Sequence, residues 1–394
     1  MAAASRYRGS FQSGLPKLDD IFHTLREAGL RVRNRDSLQE ANGVRRTLPH
    51  SNSKKKRRDG LRSRRRLPKI VSLFSGAGGL DLGFKGVGFQ IAVAIDSADA
   101  AVKSHKKNFP RTKAFVDDLI KIKPAGVLKH VMGAVPAGSK IGVIGGPPCQ
   151  GFSRANTTST SSDPRNQLPT LYLQIVQELQ LHYIVEFVVF ENVLGIRDKK
   201  HAKTYQALMN GIANLGFKVT EKQLCATDFG VPQLRKRIIL SCMRKGQGYA
   251  EVWPRKRKGI DTVRKAIGTL PDPVFFKQSL EPSNFPIHPN HWTMQPRSAR
   301  FANPQDASAD GRSFKRLKWD APSPTIAFGH REIPVHPDGK RRLSIFEAML
   351  IQGFPNTFVL AGNLSEQAEQ ISNAVPPPLA KSVASAVVRA LDAA

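Results

Sequence analysis

Three short stretches of this chain hold residue types suited to chemistry. Gly145-Gly146-Pro147-Pro148-Cys149-Gln150-Gly151-Phe152-Ser153 sets one cysteine in a loop whose backbone is fixed by glycine and proline. A thiolate at such a place is a candidate nucleophile, although any single cysteine can equally be a small buried hydrophobe. Glu191, followed by Asn192, ends an apolar run 42 positions further on. Gln233-Leu234-Arg235-Lys236-Arg237 follows Gly230-Val231-Pro232 and projects two guanidinium groups, those of Arg235 and Arg237, from the start of one strand.

A fourth stretch suits binding. Phe74-Ser75-Gly76-Ala77-Gly78-Gly79 follows an apolar run and opens a helix, where glycines let a ligand approach the backbone and a helix N-terminus adds donors. Tight packing alone also produces such turns. Asp96, 20 residues after Gly76, can accept both hydroxyls of a ribose, and Asp118 can accept from an adenine amino group. Each can also be a solvated turn acid. No Lys-Ser/Thr pair follows the turn, so it is not a phosphate loop. A nucleoside without phosphates fits better, and S-adenosylmethionine is one.

The elements that must position these groups are legible in the hydrophobic pattern. Ile70 to Phe74, Gln90 to Ile95, Phe115–Val116, Ile141 to Ile144 and Tyr183 to Phe190 read as strands. Helices are expected at about 98–108 and 171–181, and further strands at 218–226 and 237–242. This alternation implies an α/β fold: a doubly wound, mostly parallel, Rossmann-like sheet. Ligands of such sheets bind beyond the carboxyl ends of the strands, where Glu191 and the Gly-rich turn both fall. Adjacent strand ends bring Cys149 and Glu191 into one pocket.

From about 244 to 364 the pattern gives way to loops rich in Pro, Asn, His and basic residues, read as a smaller domain. A helix is expected at 344–352 and a final one at 378–391, returning to the sheet. The expected organisation is thus a basic arm (1–66), a catalytic and cofactor-binding domain (67–243), a loop-rich domain (244–364) and a C-terminal return (365–394). In the arm, Leu18 to Leu25 have helical spacing, and Lys54 to Arg66 hold nine basic residues and one acid. That run is expected to stay disordered and to contact phosphates, or to act as a nuclear localisation signal.

Charge and cysteine usage narrow the function classes. The chain has 394 residues and a net charge of +30, of which residues 1–66 carry +12. Such a balance attracts polyanions, nucleic acid above all, unless it is merely a solvated basic surface. Three cysteines without paired spacing exclude a disulfide framework and a zinc site, so no metal is expected. No apolar run approaches the length of about 20 residues that a membrane helix needs. A soluble, intracellular protein is expected, with no membrane partner.

Taken in order, the motifs resemble those of the cytosine-5 DNA methyltransferases, typified by bacterial restriction–modification enzymes, from about Lys69 to Ala394. The series runs from the Gly-rich turn and the Pro-Cys-Gln loop to Glu-Asn-Val at 191–193 and Gln-x-Arg-x-Arg at 233–237. It continues with Arg342-Leu343-Ser344, Glu347 and Gln352-Gly353-Phe354-Pro355, and closes with Asn373-Ala374-Val375-Pro376. The resemblance implies methyl transfer from S-adenosylmethionine to carbon 5 of a flipped cytosine in double-stranded DNA. It implies Cys149 as nucleophile, Glu191 as the acid facing ring nitrogen 3, and Arg237, with Arg235 beside it, on the base's carbonyl oxygen. Phe74, Gly76, Ala77, Gly78, Gly79, Asp118, Leu119, Pro148, Asn373 and Val375 would line the cofactor.

Two positions depart from the family pattern. Ala94 stands where a ribose-binding Glu is usual, leaving Asp96 as the nearby acid, and Ser372 stands where a Gly usually precedes the Asn. The variable loop-rich region would hold target recognition, with Asn290, His291, Trp292, Arg297 and Arg300 either DNA contacts or parts of a polar loop. A monomer is expected, in a bacterial cytoplasm at the nucleoid, with a cognate restriction endonuclease as possible partner and a nuclear location only for a eukaryotic source. The competing readings are a tRNA cytosine-5 methyltransferase, which needs the same groups, and a non-catalytic DNA-binding regulator. The intact Cys149, Glu191 and Arg237 argue against the regulator.

Overall fold

The structure, a computed structural model, describes residues 66–147, 168–246, 253–277, 285, 287–302, 315–326 and 334–393. The arm with the helix expected at Leu18–Leu25, Pro148 and Cys149, and the Arg300 side chain lie outside the described residues.

A seven-stranded sheet forms the frame. Its strands are β1 (Lys69–Leu73), β2 (Ile91–Asp96), β3 (Lys113–Val116), β4 (Lys140–Gly145), β5 (Ile184–Asn192), β6 (Phe217–Cys225) and β8 (Lys236–Arg244). The spatial order is β3-β2-β1-β4-β5-β8-β6. The first five pair in parallel, and β8 runs antiparallel to both β5 and β6. Strand order reverses beside β1, so the carboxyl ends of β1 and β4 flank the crevice where such sheets take ligands. A two-residue strand β7 (Gln233–Leu234) precedes β8 and pairs with β11 (Ser323–Pro324). Between them in sequence, β9 (Val274–Phe275) pairs with β10 (Trp292–Thr293).

Strand residues alternate between two cores, as the two-residue period of a strand demands. Val71, Leu73, Val143, Val188 and Phe190 face helices α3 (Leu119–Met132), α4 (Leu168–Gln180) and α5 (Ala202–Asn214). Ile70, Ile144, Phe187 and Val189 face α1 (Gly79–Lys85) and the C-terminal helix α9 (Pro377–Asp392), which pack on each other. Each such side chain, fully buried, contributes about 1.5–3 kcal/mol. The second core extends without a break to Val263 and Ile267 of α6 (Val263–Ile267), and to Leu317, Ile326 and Leu343. The remaining helices are α2 (Asp99–Asn108), α7 (Ile345–Ile351) and α8 (Leu364–Asn373).

Four helices, α3, α5, α6 and α8, fall where the sequence pattern suggested none. Helix α3 is interrupted by Pro124 and by Lys123 at φ +58°, which breaks the apolar period. Helix α5 buries Leu208 and Ile212 and packs the partly buried Tyr205 and Met209 beside them, a stripe at helical spacing that the sequence does carry. Helix α8 starts with a capping box in which the Asn363 side chain accepts from Glu366 N and Glu366 accepts from Asn363 N. That Asn-x-x-Glu signal is visible in the sequence and is worth about 1 kcal/mol. Among the described residues no helix is long and apolar enough to cross a membrane, and no group of three or more His, Cys, Asp or Glu could hold a metal ion.

Candidate active site

The last residues of β5 put Glu191 at the carboxyl edge of the sheet, with its side chain nine-tenths buried. β8 runs antiparallel beside it and pairs Ile239 with Glu191, which brings Arg237 alongside. Arg237 Nε donates to Glu191 Oε1 at 2.8 Å, and Arg237 Nη1 donates to the Lys236 carbonyl at 2.8 Å. Neither Arg237 Nη2 nor Glu191 Oε2 takes part in these two bonds. Burial raises the Glu191 pKa, outweighing the opposing pull of Arg237 and Arg235. A carboxyl held so can carry a proton to a ring nitrogen.

The start of the cysteine loop is tied to the same place. A Cβ on Gly146 would lie 2.6 Å from Glu191 Oε2, so only glycine leaves the carboxylate its room. Asn192 Nδ2 donates to the Pro147 carbonyl at 3.3 Å. Cys149 itself, two residues on, is outside the described residues. Of the other cysteines, Cys242 is fully buried and burial pushes its thiol pKa up, as suits an inert core residue. Cys225 is half-buried.

Arg235 does not share the Arg237 geometry. Its side chain is 1% exposed and donates from Nη2 to the Ser372 carbonyl at 2.6 Å. Gln233, on β7 two residues before it and fully buried, donates to Gln352 Oε1 at 2.6 Å. Gln352 in turn donates to the Ala374 carbonyl at 2.7 Å.

At the far side of the crevice the Gly-rich turn joins β1 to α1. Phe74 and Gly76 both take left-handed backbone, φ +52° and +54°, and Gly78 sits at φ +99°. For a phenylalanine this costs roughly 1–3 kcal/mol, the kind of strain that gathers at ligand sites. Asp96 at the end of β2 accepts from Gly76 N at 2.8 Å and from Ala98 N at 2.9 Å, and burial raises its pKa. Asp118 caps α3, its Oδ1 accepting from Ile120 N at 3.0 Å. Leu119 and Ala77 are buried, Asn373 is exposed at the end of α8, and Val375 is buried.

The turn retains features that suit a polar ligand. Ser75 Oγ is buried with no hydrogen-bond partner among the described residues, and nothing lies within 4 Å of where a Gly76 Cβ would stand. Ser75 was not singled out by its sequence context, where a serine in a Gly-rich turn has no distinguishing mark.

The family described as C-5 cytosine-specific DNA methylase matches residues 68–389. The chain belongs to this family. It is 34% identical over 348 residues to the type II methyltransferase M.MthTI of Methanothermobacter thermautotrophicus, covering 82% of this chain and 98% of that protein. It is 33% identical over 333 residues to the type II methyltransferase M1.HphI of Haemophilus parahaemolyticus, covering 81% and 86%. Among solved structures, a DNA modification methyltransferase encoded within an Escherichia coli prophage superposes with a TM-score of 0.69 at 24% identity, over 83% of this chain and all of that one. The DNA methylase is therefore an enzyme of the cytosine-5 methyltransferase class, and DNA is its substrate.

Within the methylase, three of the residues left open between DNA contacts and a polar loop hydrogen-bond inside the protein. Asn290 and His291 are almost fully buried. Asn290 clamps Leu360 through both its side-chain atoms, Nδ2 to the carbonyl at 3.0 Å and Oδ1 from the amide at 2.9 Å. His291 lies between Ser344 Oγ and the Pro271 carbonyl, each at 2.9 Å, and Trp292 Nε1 donates to Gln367 at 2.8 Å. Arg297 is exposed. It is Arg341, one residue before the quoted Arg342, that makes the bidentate pair with Glu347, both bonds 2.9 Å and buried. Glu347 also completes the capping box of α7 with Ser344.

Proposed function

We propose that this methylase transfers a methyl group from S-adenosylmethionine to carbon 5 of a cytosine flipped out of duplex DNA, through a covalent adduct on Cys149. The observation that carries the reading is the buried Glu191–Arg237 pair beside the start of the Pro-Cys-Gln loop. Ser75, Asp96, Asp118 and Asn373 would hold the cofactor, with the Phe74 ring beside it. Bound there, the cofactor supplies an electrophilic methyl group.

Carbon 5 of cytosine is too weak a nucleophile to accept that methyl unaided. Addition of the Cys149 thiolate to carbon 6 makes carbon 5 enamine-like, and negative charge builds on the ring. Glu191, its proton retained by burial, donates to nitrogen 3 as that charge develops, and Arg237 Nη2 opposes charge on the carbonyl oxygen. Loss of the carbon 5 proton to a base then expels the thiolate and restores the ring. Perpendicular attack on the ring requires the base to leave the stack, which costs a few kcal/mol. The region 244–364 offsets that cost and reads the site, and the net charge of +30 supplies phosphate attraction.

The type II names of the relatives support a restriction–modification role, with a cognate endonuclease acting on the same site in a bacterial cytoplasm. The test is methyl transfer from labelled S-adenosylmethionine to duplex DNA and to tRNA in parallel. Label at carbon 5 of DNA cytosine is expected, and a panel of methylation-sensitive nucleases then identifies the site. Label in tRNA alone overturns the reading.

A further inference from the structure

We infer that Arg235 is a positioning residue that fixes the cofactor side of the cleft, not a contact to the base. The inference rests on the reading above, in which the Gly-rich turn and Asn373 face the cofactor.

Arg235, in the one-residue link between β7 and β8, and Arg237, near the start of β8, are two residues apart and both buried, yet their partners differ. Arg237 turns to Glu191, whereas Arg235 reaches 137 positions along the chain to the Ser372 carbonyl at 2.6 Å. Ser372 is the penultimate residue of α8, where the carbonyls have run out of helical donors and carry the negative end of the helix dipole. Arg235 thus caps α8 from outside, and Asn373 is the next residue. The cap is a neutral carbonyl, while Arg235 Nε has no hydrogen-bond partner among the described residues. Burial, then the like charge of Arg237, lowers the Arg235 pKa. A guanidinium so poorly compensated is a poor choice for stability, since an apolar residue of similar volume would pack there at less cost. What it provides is a short, directional bond to one backbone atom.

A second strap runs in parallel. Gln233 donates to Gln352, and Gln352 donates to the Ala374 carbonyl at 2.7 Å and the Ile371 carbonyl at 3.4 Å. The short stretch 233–235 therefore holds the segment 371–374 at two points, directly through Arg235 and through Gln352. That segment leads directly to Val375, whose carbonyl would lie 2.4 Å from a Cβ on Gly79, the first residue of α1. The backbone of the Gly-rich turn thus rests on the strapped segment. Displacing the end of α8 moves Asn373 and the surface under that turn together, while the Glu191–Arg237 pair stays on its own strands.

The experiment uses the full chain and S-adenosylhomocysteine as probe. Calorimetry without DNA measures its dissociation constant for wild type, Arg235→Gln, Arg235→Lys and Gln352→Leu. Binding of target duplex without cofactor is measured beside it, and melting confirms a folded protein. For Arg235→Gln the S-adenosylhomocysteine constant is expected to rise on the order of tenfold, as for loss of one charge-assisted bond, with the DNA constant changing less than threefold. Arg235→Lys should recover part of the loss, and Gln352→Leu should reproduce the same split through the second strap. A merely structural residue would weaken both ligands together as melting falls. Unchanged S-adenosylhomocysteine binding in Arg235→Gln, or a loss confined to DNA, overturns the inference. If Arg235→Gln does not fold, the Gln352→Leu and Arg235→Lys pair decides by the same split. Failure of wild type to bind S-adenosylhomocysteine would instead strike the proposed function.

Discussion

Gly146 and Glu191 share one space: a Cβ on the glycine would lie 2.6 Å from the carboxylate oxygen that is not bound to Arg237. The residue that opens the cysteine loop and the proposed acid are therefore fitted to each other. Gly146→Ala should push the carboxylate off its bond to Arg237 at a cost of about 1–3 kcal/mol of overpacking. A misplacement of about 1 Å at a reacting group can cost 10²-fold, so kcat should fall by about that factor while the protein stays folded. Steady-state kinetics beside a thermal melt checks this. Wild-type kcat in Gly146→Ala would mean that Glu191 need not stand where it does.

Protonation of Glu191 gives a pH signature. Burial raises its pKa, so the proton stays bound at pH values where an exposed carboxyl has lost it, and leaves as pH rises through the folded value. The stability tied to this shift is likewise present below the unfolded pKa and lost through the folded one. kcat should therefore decline on the alkaline side, against the rise that Cys149 ionisation brings. Glu191→Gln keeps a hydrogen bond but has no proton to deliver. Its kcat should fall roughly 10²–10⁴-fold, and the alkaline decline should disappear. A kcat–pH profile of both proteins decides, and an unaltered decline in the variant would assign it to another group.

The parts of this site that could be read in the sequence are those set by strand ends. Glu191 closes the apolar run Phe187–Phe190, so its place at the sheet edge follows from the local pattern alone. Arg237 could be placed beside it only once β8 was known to run antiparallel to β5, a pairing no local pattern states. Arg235 looked like the twin of Arg237 because spacing reports which face a side chain takes, but not what lies opposite it. The Asn290-His291-Trp292 triplet stayed open between two readings for a related reason. Polar residues in a Pro-rich stretch look solvated, yet here they hydrogen-bond to Leu360, Ser344, Pro271 and Gln367, which are 20 to 75 positions away. Buried polar groups need such partners, and a sequence does not show them.

Asp96 is expected to matter for cofactor binding, by a route the structure qualifies. Both its oxygens already accept backbone N–H groups, one of them from Gly76 in the Gly-rich turn. Asp96→Ala should raise the S-adenosylmethionine dissociation constant roughly tenfold to over a hundredfold, the equivalent of about 1.5–3 kcal/mol. Burial raises this carboxyl's pKa, so ionised-form interactions fade as pH falls through it, and wild-type affinity should weaken toward acid. Calorimetry across pH tests both statements. No change in Asp96→Ala would leave the acid a turn residue only.

Cys149 lies outside the described residues, so chemistry must assign it. In the proposed scheme the only covalent bond between enzyme and DNA is from the Cys149 sulfur to carbon 6. On ordinary cytosine that bond breaks when the carbon 5 proton leaves. With 5-fluorocytosine at the target, carbon 5 carries fluorine and the new methyl group after transfer, and no proton remains to be removed. The thiolate cannot be expelled, and a denaturant-stable protein–DNA complex should accumulate in the presence of S-adenosylmethionine. Cys149→Ala should form none and should have no turnover, yet it should still bind target duplex, because Glu191 and Arg237 remain to hold the extrahelical base. Gel separation under denaturing conditions reads the adduct, and a binding titration reads the affinity. An adduct in Cys149→Ala would require another nucleophile, with Cys225 the first to examine, since it is the half-buried one of the two described cysteines.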